Sequence, residues 1–383
     1  MHRIADYKVF SAVILLLSCL SVVTACDTPP AANSKQSEIP NANSPGSNNI
    51  LRFNGVCDGS AAVLLSNDNL LVAYDEQNAL FEFSSGGGNP LREHGYAKAL
   101  GIKPEVDVEA AAVIDEHIWW IGSHGNDGDG NQALSRQQLF KTLVRFDADL
   151  QSRVEVVAGS IDLLPVLLRQ GIPAGLIDRS QKKRKPKKGG INIEGLSAME
   201  NGNLLVGLRS PLTGGDSGNA IIAQVDLSAS QPTVVRFYTL DLGNRGVRDI
   251  QTSENGFLLM AGDVDSGGEF SIYRWGPAAK PERLLDLPAH FNAEALVYTG
   301  KQWLVMSDDG KVKRSDKSAK DEDRRCDSIR RKNPLADQHP SVFFGHCCST
   351  GKRYNNPLVT TLNYYCLRFT SKKQKSRRQF AIN

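Results

Sequence analysis

The chain has 383 residues, is 40% hydrophobic and 23% charged, and carries a formal net charge of +3. That composition belongs to a globular chain and excludes disorder throughout, collagen and coiled coil. One apolar run approaches membrane-spanning length, at the very N-terminus, which excludes a polytopic membrane protein. The charge is unevenly divided: from Lys311 onward there are 18 Lys/Arg and 6 Asp/Glu (+12), against 27 and 36 in residues 1–310 (−9). The body is therefore acidic and a poor generic phosphate binder, so no nucleic-acid partner is expected.

Arg3 and Lys8 precede an apolar stretch over residues 9–23, the n-region and h-region of a signal peptide. The stretch ends Val23-Thr24-Ala25-Cys26, and small residues before a cysteine resemble a bacterial lipobox. Residues 1–25 are then the leader and Cys26 is the lipidation site and membrane attachment. Asp27 resembles the signal for retention at the periplasmic face of the inner membrane. More than one acyl chain anchors a protein stably without a transmembrane helix. Residues 26–50, with Pro29, Pro30, Pro40 and Pro45 among Asn, Ser and Ala, read as a flexible tether.

A short phrase recurs through the body. Asp107-Val108-Glu109-Ala110-Ala111-Ala112 leads to Ile118-Trp119-Trp120-Ile121, and Asn192-Ile193-Glu194-Gly195-Leu196 leads to Leu204-Leu205-Val206. Arg248-Asp249-Ile250 leads to Phe257-Leu258-Leu259-Met260, and Asn292-Ala293-Glu294-Ala295-Leu296 leads to Trp303-Leu304-Val305-Met306. A weaker first copy starts at Asp58-Gly59-Ser60. Aligned on positions 60, 109, 194, 249 and 294, each unit has a small-residue strand, a Gly/Asn turn, an apolar strand and an alternating strand such as 143–146 or 221–226. This pattern predicts an all-β fold, a β-propeller of about five to seven blades over residues 51–345. Five blade cores are visible, and Leu51-Arg52-Phe53 with C-terminal strands offers a further one. A pair of β-sandwiches is the runner-up, but a sandwich has no reason to keep the repeated phrase.

The longest gap, 160–190, holds an insertion. Leu-Leu spacing within 161–176 predicts a short helix, and the basic run 182–188 reads as a solvated, mobile loop. Cys57 opens the first blade and Cys326 follows the last recognisable one. In an oxidising compartment a Cys57–Cys326 disulfide closing the ring is expected. Residues 346–383 form an atypical basic tail without periodicity. It reads either as a reading-frame shift near residue 345 or as a true extension lying on anionic lipid.

Several blocks in order resemble the bacterial domain-of-unknown-function family 3616. They are Gly122-Ser123-His124 with Ser135-Arg136-Gln137-Gln138-Leu139-Phe140, then Asn192-Ile193-Glu194-Gly195-Leu196 with Val206-Gly207-Leu208-Arg209-Ser210-Pro211-Leu212, then Gly246-Val247-Arg248-Asp249 and Ser307-Asp308-Asp309-Gly310. The resemblance covers roughly 55–330. It implies a propeller-like exported protein and no established activity. The glutamate-glycine phrase is also similar to one in phytase-like and esterase-like propellers.

In a propeller the first strand of each blade lines the central channel. Glu109, Glu194, Asp249 and Glu294 would converge there, with Asn192 and Asn292 as carbonyl donors. Packed carboxylates repel unless a cation or arginines neutralise them. Calcium suits hard oxygen donors, whereas Arg136, Arg209 and Arg248 are competing neutralisers or an anion-binding set. The acids equally suit a purely structural role, accepting backbone N–H groups between blades. Asn126-Asp127-Gly128-Asp129-Gly130-Asn131-Gln132 alternates acids like a calcium loop but has Gln132 where an EF-hand needs glycine and Gln138 in place of its last ligand, so a plain surface loop is expected. His124 is open to two roles, general base at the channel mouth or ordinary hydrogen-bonding residue. No Gly-x-Ser-x-Gly, Walker, His-Glu-x-x-His or Cys-x-x-Cys motif stands out. The leading expectation is an envelope lipoprotein acting as a ligand-binding or scaffolding module. A Ca²⁺-dependent phosphate- or carboxyl-ester hydrolase and a purely structural envelope lipoprotein are the alternatives.

Overall fold

The computed structural model describes residues 50–308 and 340–345, apart from 57, 75–76, 170–172, 174–175, 177–182, 266–267 and 289–290. Cys26 and the leader, tether and tail, together with both members of the expected Cys57–Cys326 disulfide, lie outside the described residues.

Among the described residues the chain forms five four-stranded antiparallel sheets. The first strand, β1 (Ile50–Asn54), joins the last sheet. Blade 1 is β2 (Gly59–Leu64), β3 (Asn69–Tyr74), β4 (Ala79–Ser84) and β5 (Arg92–Gly95). Blade 2 is β6 (Val108–Ile114), β7 (His117–Gly122), β8 (Leu139–Phe146) and β9 (Ser152–Ile161). Blade 3 is β10 (Asn192–Ala198), β11 (Leu204–Ser210), β12 (Ala220–Asp226) and β13 (Thr233–Leu240). Blade 4 is β14 (Gly246–Ser253), β15 (Gly256–Gly262), β16 (Ser271–Trp275) and β17 (Glu282–Asp286). Blade 5 runs β18 (Ala293–Tyr298), β19 (Trp303–Ser307), β20 (Pro340–Gly345) and then β1 as its outer strand. Each inner strand packs on the next, β2 on β6, β6 on β10, β10 on β14, β14 on β18, and β18 returns to β2. The fold is thus a closed five-bladed propeller. Leu51-Arg52-Phe53 does not start a sixth blade. It pairs with residues 341–343 to finish the fifth, so the two ends of the ring share one sheet.

Period-2 patterning explains why sheets stack face to face. In β3, Leu70, Val72 and Tyr74 enter the core between blades 5 and 1, while Leu71 and Ala73 enter the core between blades 1 and 2. In β11, Leu204, Val206 and Leu208 face blade 2 and Leu205 faces blade 4. A central strand that is apolar throughout therefore feeds two inter-blade cores at once. The inner strands are built from small residues because five of them crowd one axis. At Gly195 and Gly207 a Cβ would stand 2.8 and 2.6 Å from Val247 Cγ1, so the blade 3–4 contact is Val247 and Ile250 laid on bare backbone.

The insertion is ordered into the molecule where it is described. Among the described residues it holds the single turn α2 (Leu164–Leu167), which follows α1 (Ala97–Leu100) in the chain, and a 3-10 turn over Pro186–Lys188. Leu163, Val166, Leu167 and Leu176 pack into the blade 2–3 core beside Ile191 and Ile193. Over residues 183–188 the lysines at 183, 185 and 188 are exposed, as expected of a solvated run, while the backbone makes contacts with blade 2. The Arg184 carbonyl accepts Asn126 Nδ2 at 3.0 Å, and Lys185 Nζ lies 3.7 Å from Asp129. Backbone of 183–184 lies against Gly130, and Pro186 against Gly125. Glycines at those two points let the strap settle onto the blade 2 loop.

Candidate functional site

Every inner strand carries a β-bulge near its start, where one residue is left out of the ladder. The unpaired residues are Ser60, Glu109, Glu194, Arg248 and Glu294. A bulge re-aims one side chain without disturbing the small residues that follow. Four of these five positions agree with the repeat alignment. The fourth is off by one: the equivalent residue is Arg248, not Asp249. In a strand, a one-residue slip sends a side chain to the other face.

Asp249 accordingly lies away from the channel cluster. It is 3% exposed, with Oδ1 accepting the Ile250 N–H at 2.6 Å and Oδ2 accepting the Leu296 N–H at 2.6 Å. It ties blade 4 to blade 5, the structural role open to all the acids. Burial pushes its carboxyl up to about 7 against those donors.

The channel cluster is a charge network. Glu194 Oε1 accepts Arg209 Nη1 at 2.7 Å and Asn192 Nδ2 at 2.7 Å. Glu194 Oε2 lies 3.0 Å from Arg248 Nε, close enough for ion pairing but not aligned for a hydrogen bond. Arg248 Nη2 reaches Glu294 Oε1 at 2.5 Å, and its guanidinium lies over the Phe270 ring at 5.4 Å. Arg209 adds hydrogen bonds to the carbonyls of Val264 and Asp265, at 3.1 and 2.7 Å. Although burial works against its charge, Glu194 and Glu294 hold Arg209 above its ordinary range. Asn292 repeats the part of Asn192: its Nδ2 donates to Glu294 Oε1 at 3.3 Å and to Asp308 Oδ2 at 2.7 Å. Burial pushes the Glu294 carboxyl up to about 7, with Arg248 opposing and Glu194 adding to the rise.

One carboxylate oxygen each of Glu109, Glu194 and Glu294 lies within 4.8 Å of the other two. Above them opens a cleft of about 390 Å³. Its lining holds six acids, Asp58, Asp107, Glu109, Glu194, Glu294 and Asp308, against three bases, Arg136, Lys185 and Arg209. Lys185 and Pro186 bring the basic strap to its wall. The arginines named as an anion-binding set are directed at the protein's own acids and carbonyls; Arg136 Nη1 lies 2.8 Å from Asp107 and its Nη2 3.5 Å from Glu105. Sequence reasoning missed Asp58, Asp107 and the strap. The first two stand two residues before the bulge, where Asn192 and Asn292 stand in their blades, so the repeat itself held the signal.

Two other candidates resolve as structural. His124 is 1% exposed; its Nδ1–H donates to the Gly122 carbonyl at 2.8 Å and its Nε2 accepts the Leu163 N–H at 3.1 Å. Both nitrogens are engaged in a neutral ring, and burial lowers its pKa. It is the hydrogen-bonding residue, not a base, and it pins the insertion to blade 2. The acid loop at 126–132 closes on itself: Asp127 Oδ1 accepts the N–H groups of Asp129 and Asn131 at 2.8 Å each, and Oδ2 accepts Asn131 Nδ2 at 3.0 Å.

The model of a protein family of unknown function, DUF3616, matches residues 59–157 and 183–320, more than half of the chain. The chain belongs to the DUF3616 family. The gap between the two matched stretches, residues 158–182, holds α2, and the strap over 183–188 opens the second matched stretch of this DUF3616 protein. No curated protein matches it. Solved structures similar to it include a PQQ-bound aldose sugar dehydrogenase from Streptomyces coelicolor, at 12% identity over 70% of this chain and 95% of that one, TM-score 0.38. A second is a protein described as a putative oxidoreductase (glucose dehydrogenase) from Thermus thermophilus, at 9% identity over 78% and 100%, TM-score 0.37. A third is a streptogramin B lyase, at 12% identity over 67% and 65%, TM-score 0.30.

Proposed function

We propose that this DUF3616 protein is a binding module of the bacterial envelope. It is tethered by lipid on Cys26 and holds a small, polar, positively charged ligand in the cleft over the central channel. The observation that carries this reading is the cleft itself: about 390 Å³, within the size range of small-molecule sites, with six acids against three bases. The arginines are consumed by internal pairs, which disfavours an anionic ligand. The tether rests on Val23-Thr24-Ala25-Cys26 behind an apolar run. A Ca²⁺-dependent ester hydrolase is a second reading, favoured by the convergence of Glu109, Glu194 and Glu294. The ligand test is a thermal-shift panel of polyamines, basic amino acids and amino sugars, run in EDTA. At a hundred times its dissociation constant, a bound compound adds about 2.7 kcal/mol. No shift from any member would leave a structural lipoprotein. The tether test is metabolic labelling with palmitate, which Cys26→Ser should abolish; label retained on the variant would refute the anchor.

A further inference from the structure

We propose that the floor of the cleft binds one divalent hard cation, Ca²⁺ in preference to Mg²⁺. Its protein ligands are a carboxylate oxygen each from Glu109, Glu194 and Glu294 and the amide oxygen of Asn192. This deepens the binding reading and rests on the same cleft.

Geometry is the first support. Oxygens on opposite sides of Ca²⁺ stand about 4.8 Å apart, given metal–oxygen distances of about 2.4 Å, and adjacent ones stand closer. Three oxygens all within 4.8 Å of one another therefore fit around one such ion. That spacing alone admits Mg²⁺ as well; the preference for Ca²⁺ follows from the stricter octahedron of Mg²⁺, which it prefers to fill with water.

The second support is independent of the acids' proximity. Asn192 is 4% exposed and lines the cleft, and its Oδ1 is buried with no hydrogen-bond partner. Its Nδ2 donates to Glu194 Oε1 at 2.7 Å, which fixes the amide so that the oxygen is the atom left over. Flipping it would set oxygen against carboxylate. Glu194 Oε2 faces Arg248 Nε at 3.0 Å, so the Asn192 amide oxygen is the acceptor left over in this cluster, and a cation satisfies it. Charge agrees: the cleft lining carries six acids against three bases.

The test uses the full-length chain, stripped with EDTA and dialysed, with Ca²⁺ alone as probe. Calorimetry should give one Ca²⁺ per chain, bound at least ten-fold tighter than Mg²⁺, and a melting temperature that EDTA lowers and Ca²⁺ restores. Glu109→Gln should weaken Ca²⁺ binding at least ten-fold, read beside the variant's own melt in EDTA; Glu194 and Glu294 are avoided because they hold the buried arginines. Asn192→Asp, which replaces the orphaned amide oxygen with a charged one, should tighten binding. No calcium heat with an EDTA-insensitive melt overturns the proposal, as does calcium binding that Glu109→Gln leaves unchanged. If an organic member of the EDTA panel binds and Ca²⁺ does not, the cation site fails and the binding module stands; if neither binds, both fail.

Discussion

Asp249 gives the sharpest physical test of the ring. It is buried between blades 4 and 5, where Ile250 and Leu296 each donate an N–H to it and Gln251 Nε2 adds contacts at 3.2 and 3.3 Å. Burial outweighs those donors and lifts its pKa from about 3.8 to about 7. A carboxyl whose folded pKa lies above its unfolded one holds its proton more tightly in the native state. It therefore favours folding most below the unfolded value. Its contribution declines as pH rises from about 4 to about 7 and is flat beyond. Three pH units at about 1.4 kcal/mol each amount to about 4 kcal/mol. Asparagine cannot ionise, so Asp249→Asn removes this dependence while leaving other titrating groups, such as the buried His94 and His124, in place. Urea unfolding of both proteins at pH 4.5, 5.5, 6.5 and 7.5 isolates the difference. The stability gap should move in the variant's favour by about 3 kcal/mol across that series. Parallel curves would mean that Asp249 is ionised throughout and that its backbone donors, not its burial, govern it.

Glu194→Gln removes the charge that both Arg209 and Arg248 face in the interior, where they are 4% and 1% exposed. Breaking a buried pair from one side costs about 3–5 kcal/mol; a loss under about 1 kcal/mol in urea unfolding at pH 7 would show that the Val264 and Asp265 carbonyls and Glu294 suffice for both guanidiniums. Gly246→Ala places a Cβ 1.9 Å from the Arg209 carbonyl oxygen, backbone against backbone, so blade 4 must back away from blade 3. A loss of about 3 kcal/mol, the upper end for overpacking, is expected as a lower melting temperature, and an unchanged melt would refute that close approach.

Much of this fold is legible because propeller signals are local. The small residues of Glu109-Ala110-Ala111-Ala112, the turn at 200–203 and the apolar 204–208 fall within one blade, and each blade repeats them. What is not local was harder to see. The outer strand of blade 5 comes from residues 50–54, nearly 300 positions from the strand it pairs with, and its pairing with residues 340–344 is set by ring closure, not by any neighbouring pattern. The docking of the basic strap's backbone is illegible for a similar reason. Seven residues with six cations look solvated in one dimension. The lysines at 183, 185 and 188 are indeed exposed, but the contacts of Pro186 with Gly125 and of the 183–184 backbone with Gly130 depend on a loop some 55 residues earlier.

The one displaced site residue has a different cause, and it changes the chemistry. An alignment that matches acid to acid sets Asp249 beside Glu194 and Glu294. Matching the apolar anchor instead, Leu196, Ile250 and Leu296, sets Arg248 there, and the bulges agree. The apolar anchor is the sounder guide because it is held by an inter-blade core, whereas the bulged residue is free of the ladder and can vary in charge. The consequence is electrostatic. With an aspartate at that position the channel would hold four acids and would need an external cation to fold. With arginine there, blades 3, 4 and 5 present Glu194, Arg248 and Glu294 in succession, and the cation between the two acids comes from the chain itself. Any ion the ring takes up is then added to a network that already carries its own cations, and it meets Glu109 and the orphaned amide oxygen of Asn192. Glu194→Gln takes the partner of both buried arginines and so cannot separate binding from folding.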